Sequence, residues 1–278
     1  MYSLSFRQRK ITKQIYIYLL GVIIIVPVLF PLYFVLTSSL KNMADVYSVP
    51  PILFGFIPIF EHYIYIFESM NYAVYMYNSA IIAVTSSIFA LFIGVPAAYV
   101  IARHKMAKVS ACMLLVRLLP NISLLLPYYF IFSRLGLVDT HFGLSLAHSV
   151  GSVSTVVWIM TGFITEIPTE LDEAAIVDGC SWQGVFAKII LPISVSGIVT
   201  CATLVFLNSW NNFQHALILG GKRTQTLPVT LQQFVSGSGV RWGRMLAGTV
   251  VVIIPTLILT MLLQKYIVKG LTAGAVKG

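Results

Sequence analysis

The sequence predicts an all-α, polytopic integral membrane protein with six transmembrane helices and both termini in the cytoplasm. Of its 278 residues, 58% are hydrophobic and only 10% are charged, whereas a soluble domain carries about 25% charged residues. Apolar runs of about 20 residues recur along the chain, and each is long enough to cross a hydrocarbon core about 30 Å thick. One short stretch, 166–178, holds five of the nine acidic residues, so we expect it to lie in water.

The six predicted helices follow the apolar runs and form a single transmembrane domain over residues 1–278. They cover about residues 15–36, 78–102, 111–132, 142–164, 193–217 and 245–264. Four basic residues and no acidic residue precede the first run, which is longer than the core of a cleaved signal peptide. We therefore expect a retained first helix whose N-terminus is cytoplasmic.

The distribution of basic residues agrees with this orientation. With six spans, eleven of the 18 Lys and Arg residues fall in cytoplasmic segments and six fall in outside segments. This bias has the direction of the positive-inside rule. The net charge of +9 is explained by basic residues that flank apolar runs, so no nucleic-acid partner is expected.

The predicted third helix contains an ionisable residue, Arg117. A charge at that depth either belongs to a solute pathway or snorkels to the cytoplasmic face, and the sequence leaves both interpretations open. Pro120, Asn121 and Pro127 interrupt the same helix, and an interrupted helix exposes backbone dipoles to a polar substrate. Arg117 and Asn121 are therefore candidates for the substrate pathway.

A cluster of amides around an aromatic residue ends the predicted fifth helix. Its candidates for the substrate pathway are Asn208, Trp210, Asn211, Asn212 and Gln214. Amides bond sugar hydroxyls, and an aromatic face packs against the C–H groups of a pyranose. The same residue types occur where a helix end enters the headgroup region, and both interpretations stay open. In the fourth helix, His148 is expected to be a hydrogen-bonded packing residue rather than a ligand.

The polar stretch has a readable local structure over residues 166–192. Thr169 is a suitable N-cap, and Asp172 stands at the capping-box position three residues later. Gly179 is a natural stop for this short helix. Ser181 is placed to cap a second helix that Pro192 closes. Spacing alone is compatible with an ordinary helix-turn-helix connector.

The same stretch carries a longer pattern: Glu-Ala-Ala, three residues, Gly, nine residues, Ile, one residue and Leu-Pro. The pattern is met by Glu173, Ala174, Ala175, Gly179, Ile189, Leu191 and Pro192. It resembles the EAA loop of the membrane subunits of binding-protein-dependent ABC importers. The resemblance implies that these residues and Asp178 form cytoplasmic coupling helices that dock into the ATP-hydrolysing subunit. Glu173 would be the docking acid and Gly179 the turn.

Four further stretches resemble the carbohydrate branch of these importers, specifically the second permease of maltose and multiple-sugar type transporters. They are RLGLVDT at 134–140, SWNNF at 209–213, TLPVTLQQF at 226–234 and the tail from Lys269 to Gly278. This resemblance implies a permease that translocates a sugar across a bacterial or archaeal cytoplasmic (inner) membrane. It also implies three kinds of partner in or at the lipid bilayer: a second, non-identical permease, two ATP-binding subunits and an extracytoplasmic sugar-binding protein.

The chain itself lacks the residues for nucleotide chemistry. A phosphate-binding loop requires G-x-x-x-x-G-K-[S/T], and the nearest match, Gly221-Lys222, is followed by Arg223 and has Ala216 at the first glycine position. The three cysteines suggest neither a disulfide framework nor a metal site. We therefore expect no catalytic residue, no metal and no cofactor in this chain, with ATP and Mg²⁺ held by partner subunits.

Three alternatives are weighed against the sugar importer. An ABC importer for a non-sugar solute would have the same loop. A stand-alone secondary carrier would need an intramembrane acid for ion coupling, and no predicted span contains one. A membrane enzyme would need catalytic carboxylates, histidines or a metal set at one face, whereas the one acidic cluster has no nearby histidine.

Overall fold

A computed structural model describes the backbone of residues 6–116, 118, 120–237 and 239–273. Side chains are described within 14–264, apart from those at 107, 114, 116, 117, 119, 121 and 238. In chain order the α-helices are α1 (Phe6–Ser38), α2 (Met43–Val46), α3 (Glu61–Glu68), α4 (Tyr72–Arg103), α5 (Ala107–Val116), α6 (Asn121–Arg134), α7 (His141–Thr165), α8 (Glu170–Val177), α9 (Trp182–Val185), α10 (Leu191–Ile193), α11 (Val195–Trp210), α12 (Gln214–Leu219), α13 (Leu227–Thr230) and α14 (Trp242–Ala273). A π-helical turn (Phe186–Ile190), a 3₁₀ turn (Leu231–Phe234) and one antiparallel pair, β1 (Val235–Ser236) with β2 (Gly239–Val240), complete the described elements.

The chain is mostly helical, as expected, and several helices are long enough to span a bilayer. Four described helices qualify by length and composition: Gln14–Ser38, Tyr72–Arg103, His141–Thr165 and Trp242–Gln264. A fifth is obtained when Trp182–Ile193 and Val195–Trp210, which meet at a bend of 77°, are counted as one span. The described helices thus give four or five spans where the sequence predicts six.

The predicted third and fifth helices are each divided. In the third, α5 ends at Val116 and α6 begins at Asn121, with Pro120 in an extended conformation as its N-cap. Pro127 lies within α6 without ending it, and Arg117 lies outside the described residues. In the fifth, α11 ends at Trp210 and the six-residue α12 follows.

The described residues form two units. The first contains the chain up to Met70 together with Phe234–Val251, and the second contains Asn71–Gln233 and the chain from Val252.

A buried lysine organises the first unit. Lys41 is 1% exposed, and its Nζ donates to the carbonyl of Ile52 at 2.5 Å and lies 5.1 Å from the ring centroid of Phe56. Burial lowers the pKa of this ammonium, and nearby Asp45 opposes that shift. These contacts fix the segment that follows α1.

The core of the second unit lies where α4, α7 and α11 pack together. Its fully buried side chains are small or aliphatic, among them Ala90, Ala98, Val156, Met160 and Val205. α4 and α7 approach closely at Gly94, where an added Cβ would lie 2.7 Å from Cγ1 of Val156. This close approach explains why glycine occupies a position inside a long helix.

A carboxylate clamp holds the polar segment after α12. Asp139 Oδ1 accepts hydrogen bonds from the backbone N–H of Thr224 at 3.0 Å and from its hydroxyl at 2.9 Å. Asn78 Nδ2 donates to the carbonyls of Arg223 and Gln225 at 3.1 and 3.0 Å. Burial alone raises the pKa of Asp139, but its hydrogen bonds to Thr224 and to the Arg223 amide outweigh burial, so the pKa is lowered.

Candidate functional site

The short helix α8 ends as the sequence predicts. Gly179 has a φ of +87°, a left-handed conformation that glycine adopts without steric cost. The N–H of Cys180 donates to the carbonyl of Ala175 at 2.9 Å, and the N–H of Gly179 donates to Ile176 at 3.0 Å. This is the hydrogen-bond pattern of a Schellman motif, so the predicted stop at Gly179 is confirmed.

The predicted capping box at the start of α8 is wrong. Thr169 has helical φ and ψ of −69° and −22°, and its side chain accepts no capping hydrogen bond. Asp172 does not reach back to the helix end, because its carboxylate is buried at 3% exposure against a charged partner from α4. A buried carboxylate requires such a partner, and this requirement overrides the local capping preference.

That partner is Arg103, the last residue of α4. Its Nε donates to Asp172 Oδ2 at 2.7 Å and its Nη2 donates to Oδ1 at 3.0 Å, which makes a bidentate ion pair. Its Nη1 donates to the carbonyls of Ile164 and Ile167 at 3.2 and 2.8 Å. The hydroxyl of Tyr99 donates to Asp172 Oδ2 at 3.1 Å. The guanidinium thus joins α4, the end of α7 and α8.

The second helix of the stretch begins as predicted but continues further. Ser181 Oγ accepts a hydrogen bond from the N–H of Gly184 at 3.2 Å, which confirms the predicted N-cap. The helical run continues through the π-helical turn and past Pro192 to Ile193, and the chain bends by 77° before α11. The ring of Phe186 lies 5.3 Å from that of Tyr99, so this run also packs on α4.

The EAA pattern residues divide between an exposed face and a packed face. Glu173, Ala174, Asp178, Gly179 and Pro192 are exposed. Ala175 is buried, and Ile189 and Leu191 pack partly buried against the core of the second unit. The pattern therefore presents its acids while its apolar residues anchor the segment.

Apolar side chains that the sequence analysis did not single out extend the exposed face. Val177 is 87% exposed and Trp182 is 58% exposed. We call the exposed residues Glu170, Glu173, Ala174, Val177, Asp178 and Trp182 the coupling face, after the role that the EAA resemblance implies for this stretch. Four of them, at positions 170, 173, 174 and 177, share one side of α8 by helical spacing. Exposed apolar and acidic groups held on a packed support are suited to contact another protein.

A cavity of about 620 Å³, lined by apolar residues and several uncharged polar ones, lies elsewhere in the second unit. It is lined by two of the predicted pathway residues, Asn208 and Asn212, together with Tyr128, His148 and His215. No Asp, Glu, Lys or Arg is found among the described residues of its lining. A cavity of this size with a few uncharged polar groups is suited to a neutral polar solute.

The other predicted pathway residues do not join this cavity. Trp210 is buried, and its indole N–H donates to the carbonyl of Val252 at 3.0 Å. Asn211 and Gln214 are exposed and do not line the cavity. Arg117 and the side chain of Asn121 lie outside the described residues.

His148 lies at the cavity, a position that the sequence did not predict. Its Nδ1 is 2.7 Å from Ser209 Oγ, so the predicted hydrogen bond exists, but the imidazole also lines the cavity. His215 and Tyr128 were not singled out, because they come from different helices and no sequence spacing links them. Within the described part of the chain, no group of three or more His, Cys, Asp or Glu residues is placed to hold a metal ion.

Comparison with known proteins identifies the family. Residues 4–273 match the family described as "Binding-protein-dependent transport system inner membrane component". The chain belongs to this family. The permease is 37% identical over 193 residues to the trehalose transport system permease protein SugB of Mycobacterium tuberculosis, covering 67% of this chain and 70% of the relative. It is 31% identical over 260 residues to the sulfoquinovosyl glycerol transport system permease protein SmoH of Agrobacterium fabrum, covering 92% of this chain and 91% of the relative.

Solved structures agree on the fold. The permease matches a chain of a bacterial ABC transporter that imports the acidic polysaccharide alginate with a TM-score of 0.75 and 21% identity, covering 96% of this chain and 99% of that one. It matches a chain of the MetNI methionine ABC transporter with a TM-score of 0.60 and 21% identity, covering 73% of this chain and 98% of that one. At these identities the likeness establishes the ABC importer permease fold. The protein is thus an integral membrane permease subunit of an ABC importer, which confirms the family that the EAA pattern predicts.

Proposed function

We propose that the permease translocates a sugar across the cytoplasmic (inner) membrane of a bacterium or archaeon, driven by ATP that partner subunits hydrolyse. The coupling face is the contact surface for these subunits, which hold ATP and Mg²⁺. The observation that carries this proposal is the placement of Glu173 and Asp178 on an exposed surface whose other side is packed into the second unit. A coupling element must transmit a displacement, and a packed support serves that purpose.

The proposed complex contains this permease, a second and non-identical permease, two ATP-binding subunits and an extracytoplasmic sugar-binding protein. Membership of a binding-protein-dependent transport family supports the last partner. The mechanism is alternating access: closure of the ATP-binding pair moves the coupling face, and the membrane helices turn from inward-facing to outward-facing. A ligand or partner drives such a change only by contacting the two states differently.

The proposed topology has six spans with both termini cytoplasmic. The third span consists of α5 and α6 in two pieces, and the fifth consists of α11 followed by α12. Interrupted spans are tolerated where the broken helix is surrounded by protein or lines a cavity. Here α6 and α12 both contribute to the cavity lining, through Tyr128 and His215.

The proposed cargo is a sugar for two reasons. Relatives that match 66–98% of the chain are named as permeases for trehalose, trehalose or maltose, and diacetylchitobiose. The cavity offers amide, imidazole and phenol groups and no formal charge among its described lining residues, a combination that suits hydroxyl-bearing solutes.

Co-purification tests this proposal. The tagged permease is extracted in mild detergent, and the proteins that accompany it are identified and counted. We expect a second permease and two copies of an ATP-binding subunit. Glu173→Lys, which reverses a charge on the coupling face, should remove the ATP-binding subunits and leave the second permease bound.

The matched control is Glu166→Lys, because Glu166 is exposed but lies at the end of α7, outside the coupling face. This variant should keep the full complex. A permease that is purified alone, or a Glu173→Lys complex of unchanged composition, would contradict the proposed coupling.

A further inference from the structure

The end of α4 is tied to residues 170–193, which we call the coupling segment, by an unusually complete set of polar contacts. The ion pair of Arg103 and Asp172 is almost fully shielded, with side chains 8% and 4% exposed. All three guanidinium nitrogens donate, two to the carboxylate and one to the carbonyls of Ile164 and Ile167. A buried pair of this kind contributes less to net stability than to a defined geometry. The main effect of the pair is therefore to fix the position of α8 relative to α4.

We propose that Arg103 is a positioning residue for coupling, through which a displacement of the coupling face is transmitted to α4 and α7. This inference rests on the proposed function, since it assumes that the coupling face is where the ATP-binding subunits act. Within that function, the inference identifies α4 and α7 as the membrane helices that a displacement of the coupling face moves directly.

The contacts of α8 support this direction of transmission. Asp172 is buried on the side of α8 away from the middle of the face that residues 170, 173, 174 and 177 form, so a force on that exposed face presses the helix toward Arg103. The Tyr99 hydroxyl binds the same carboxylate at 3.1 Å, and its ring packs on Phe186 at 5.3 Å. Both short helices of the coupling segment are thereby connected to one turn of α4.

The connection to α11 is of a different kind. The segment joins α11 through a bend of 77° at Ser194. A sharp bend is a place where a hinge absorbs displacement, whereas a bidentate ion pair with two further carbonyl contacts keeps a fixed direction. The ion pair therefore ties α4 and α7 to the coupling face directly, while α11 is connected to it through the bend at Ser194 and through its packing on α4 and α7.

The planar fork of arginine is essential to this role. A lysine at position 103 keeps the positive charge and pairs with Asp172, but it cannot engage both carboxylate oxygens and two carbonyls in one plane. Arg103→Lys therefore separates the charge from the geometry and is the decisive variant.

The test uses the whole importer complex in proteoliposomes with saturating binding protein, and it measures sugar imported for each ATP hydrolysed. For Arg103→Lys we expect an assembled complex that hydrolyses ATP, while the ratio of import to hydrolysis falls by about tenfold, the scale of a lost network of charged hydrogen bonds. The matched control is Lys105→Arg, because Lys105 is exposed just beyond α4. This substitution makes the converse change, lysine to arginine, outside the hydrogen-bond network of Arg103. Its ratio should equal that of the wild type.

One double variant decides the case where Arg103→Lys fails to assemble. The pair Arg103→Met with Asp172→Leu leaves no buried charge unpaired, so it preserves folding while removing the polar link. A wild-type ratio of import to hydrolysis in either assembled variant would overturn the positioning role of Arg103. The outcome for Glu173→Lys stays separate: if that variant keeps its ATP-binding subunits, the proposed function fails, irrespective of the Arg103 result.

Discussion

The imidazole rings of His148 and His215 lie 5.7 Å apart, centroid to centroid, and border the same cavity from different helices. Each ring is held by a neighbour: His148 Nδ1 by Ser209 Oγ at 2.7 Å, and His215 Nδ1 by the side chain of Asn212 at 3.2 Å. His148 Nε2 is buried and has no hydrogen-bond partner among the described residues. The two rings are therefore held in fixed orientations at one border of the cavity.

Asn208→Leu should lower sugar import. The Asn208 side chain lines the cavity and is exposed, so its loss removes a hydrogen-bonding group from the proposed path without opening the core. A hydrogen bond to an uncharged group contributes about 0.5–1.5 kcal/mol, which corresponds to a fall of roughly two- to tenfold. The measurement is the rate of sugar uptake by the complete importer.

The control, Asn211→Leu, changes an exposed amide outside the cavity and should retain wild-type uptake. Equal uptake by both variants would exclude Asn208 from the path.

Gly179→Val should reduce import more than Gly179→Asn does. At a φ of +87°, a β-branched side chain is strained by about 1–3 kcal/mol, whereas Asn tolerates left-handed conformations. Valine therefore shifts the turn between the two short coupling helices and misplaces the coupling face. No described side chain lies within 4 Å of an added Cβ, so packing does not obscure the comparison. Uptake and co-purification of the ATP-binding subunits are the measurements. Identical results for the two variants would show that the conformation of this turn is not important for coupling.

Local features of the site were predictable from the sequence because their partners lie a few residues away. Gly179 and Ser181 act within one turn of their own helices, and spacing of three to five residues specifies their hydrogen bonds. The acidic residues of the EAA pattern were predicted to face water, and Glu173 and Asp178 are exposed.

Features that depend on distant residues were not predictable in the same way. The spacing of Asp172 from Thr169 predicted a capping box. Its actual partner, Arg103, lies 69 residues away, and local sequence spacing does not predict a pair at that distance. The amide cluster was treated as one group, but only Asn208 and Asn212 line the cavity, since Trp210 faces the core instead. Helical spacing places Asn208 and Trp210 on different sides of α11, but it does not show which side borders a cavity.

The clamp at Asp139 should loosen in acid. The pKa of this carboxyl is lowered from 3.8 in the folded protein. Its contribution is therefore complete above the unfolded value and is lost as the pH falls through the lowered folded value. Hydrogen exchange of the Thr224 amide, which donates to Asp139 at 3.0 Å, measures this loss. Protection should fall below about pH 4.

Asp139→Asn provides the control for the acid effect. The variant cannot ionise, so the protection of the Thr224 amide should be weaker than in the wild type at neutral pH and should show no step in acid. A step of equal size in both proteins would assign the acid sensitivity to another group.

Gly94→Ala should destabilise the packing of α4 on α7. An added Cβ would lie 2.7 Å from Cγ1 and 2.8 Å from Cβ of Val156, whose side chain is fully buried. A change of rotamer does not move Cβ, so the two helices must separate. Overpacking of this kind costs about 1–3 kcal/mol. The thermal unfolding midpoint of the purified importer should therefore fall.

Gly162→Ala is the matched control, because Gly162 lies on α7 and no atom lies within 4 Å of the added Cβ. Val156→Gly removes both contacting carbon atoms, so Gly94→Ala should cost less stability in a Val156→Gly background than in the wild type. An equal cost in both backgrounds would show that the contact with Val156 is not the cause.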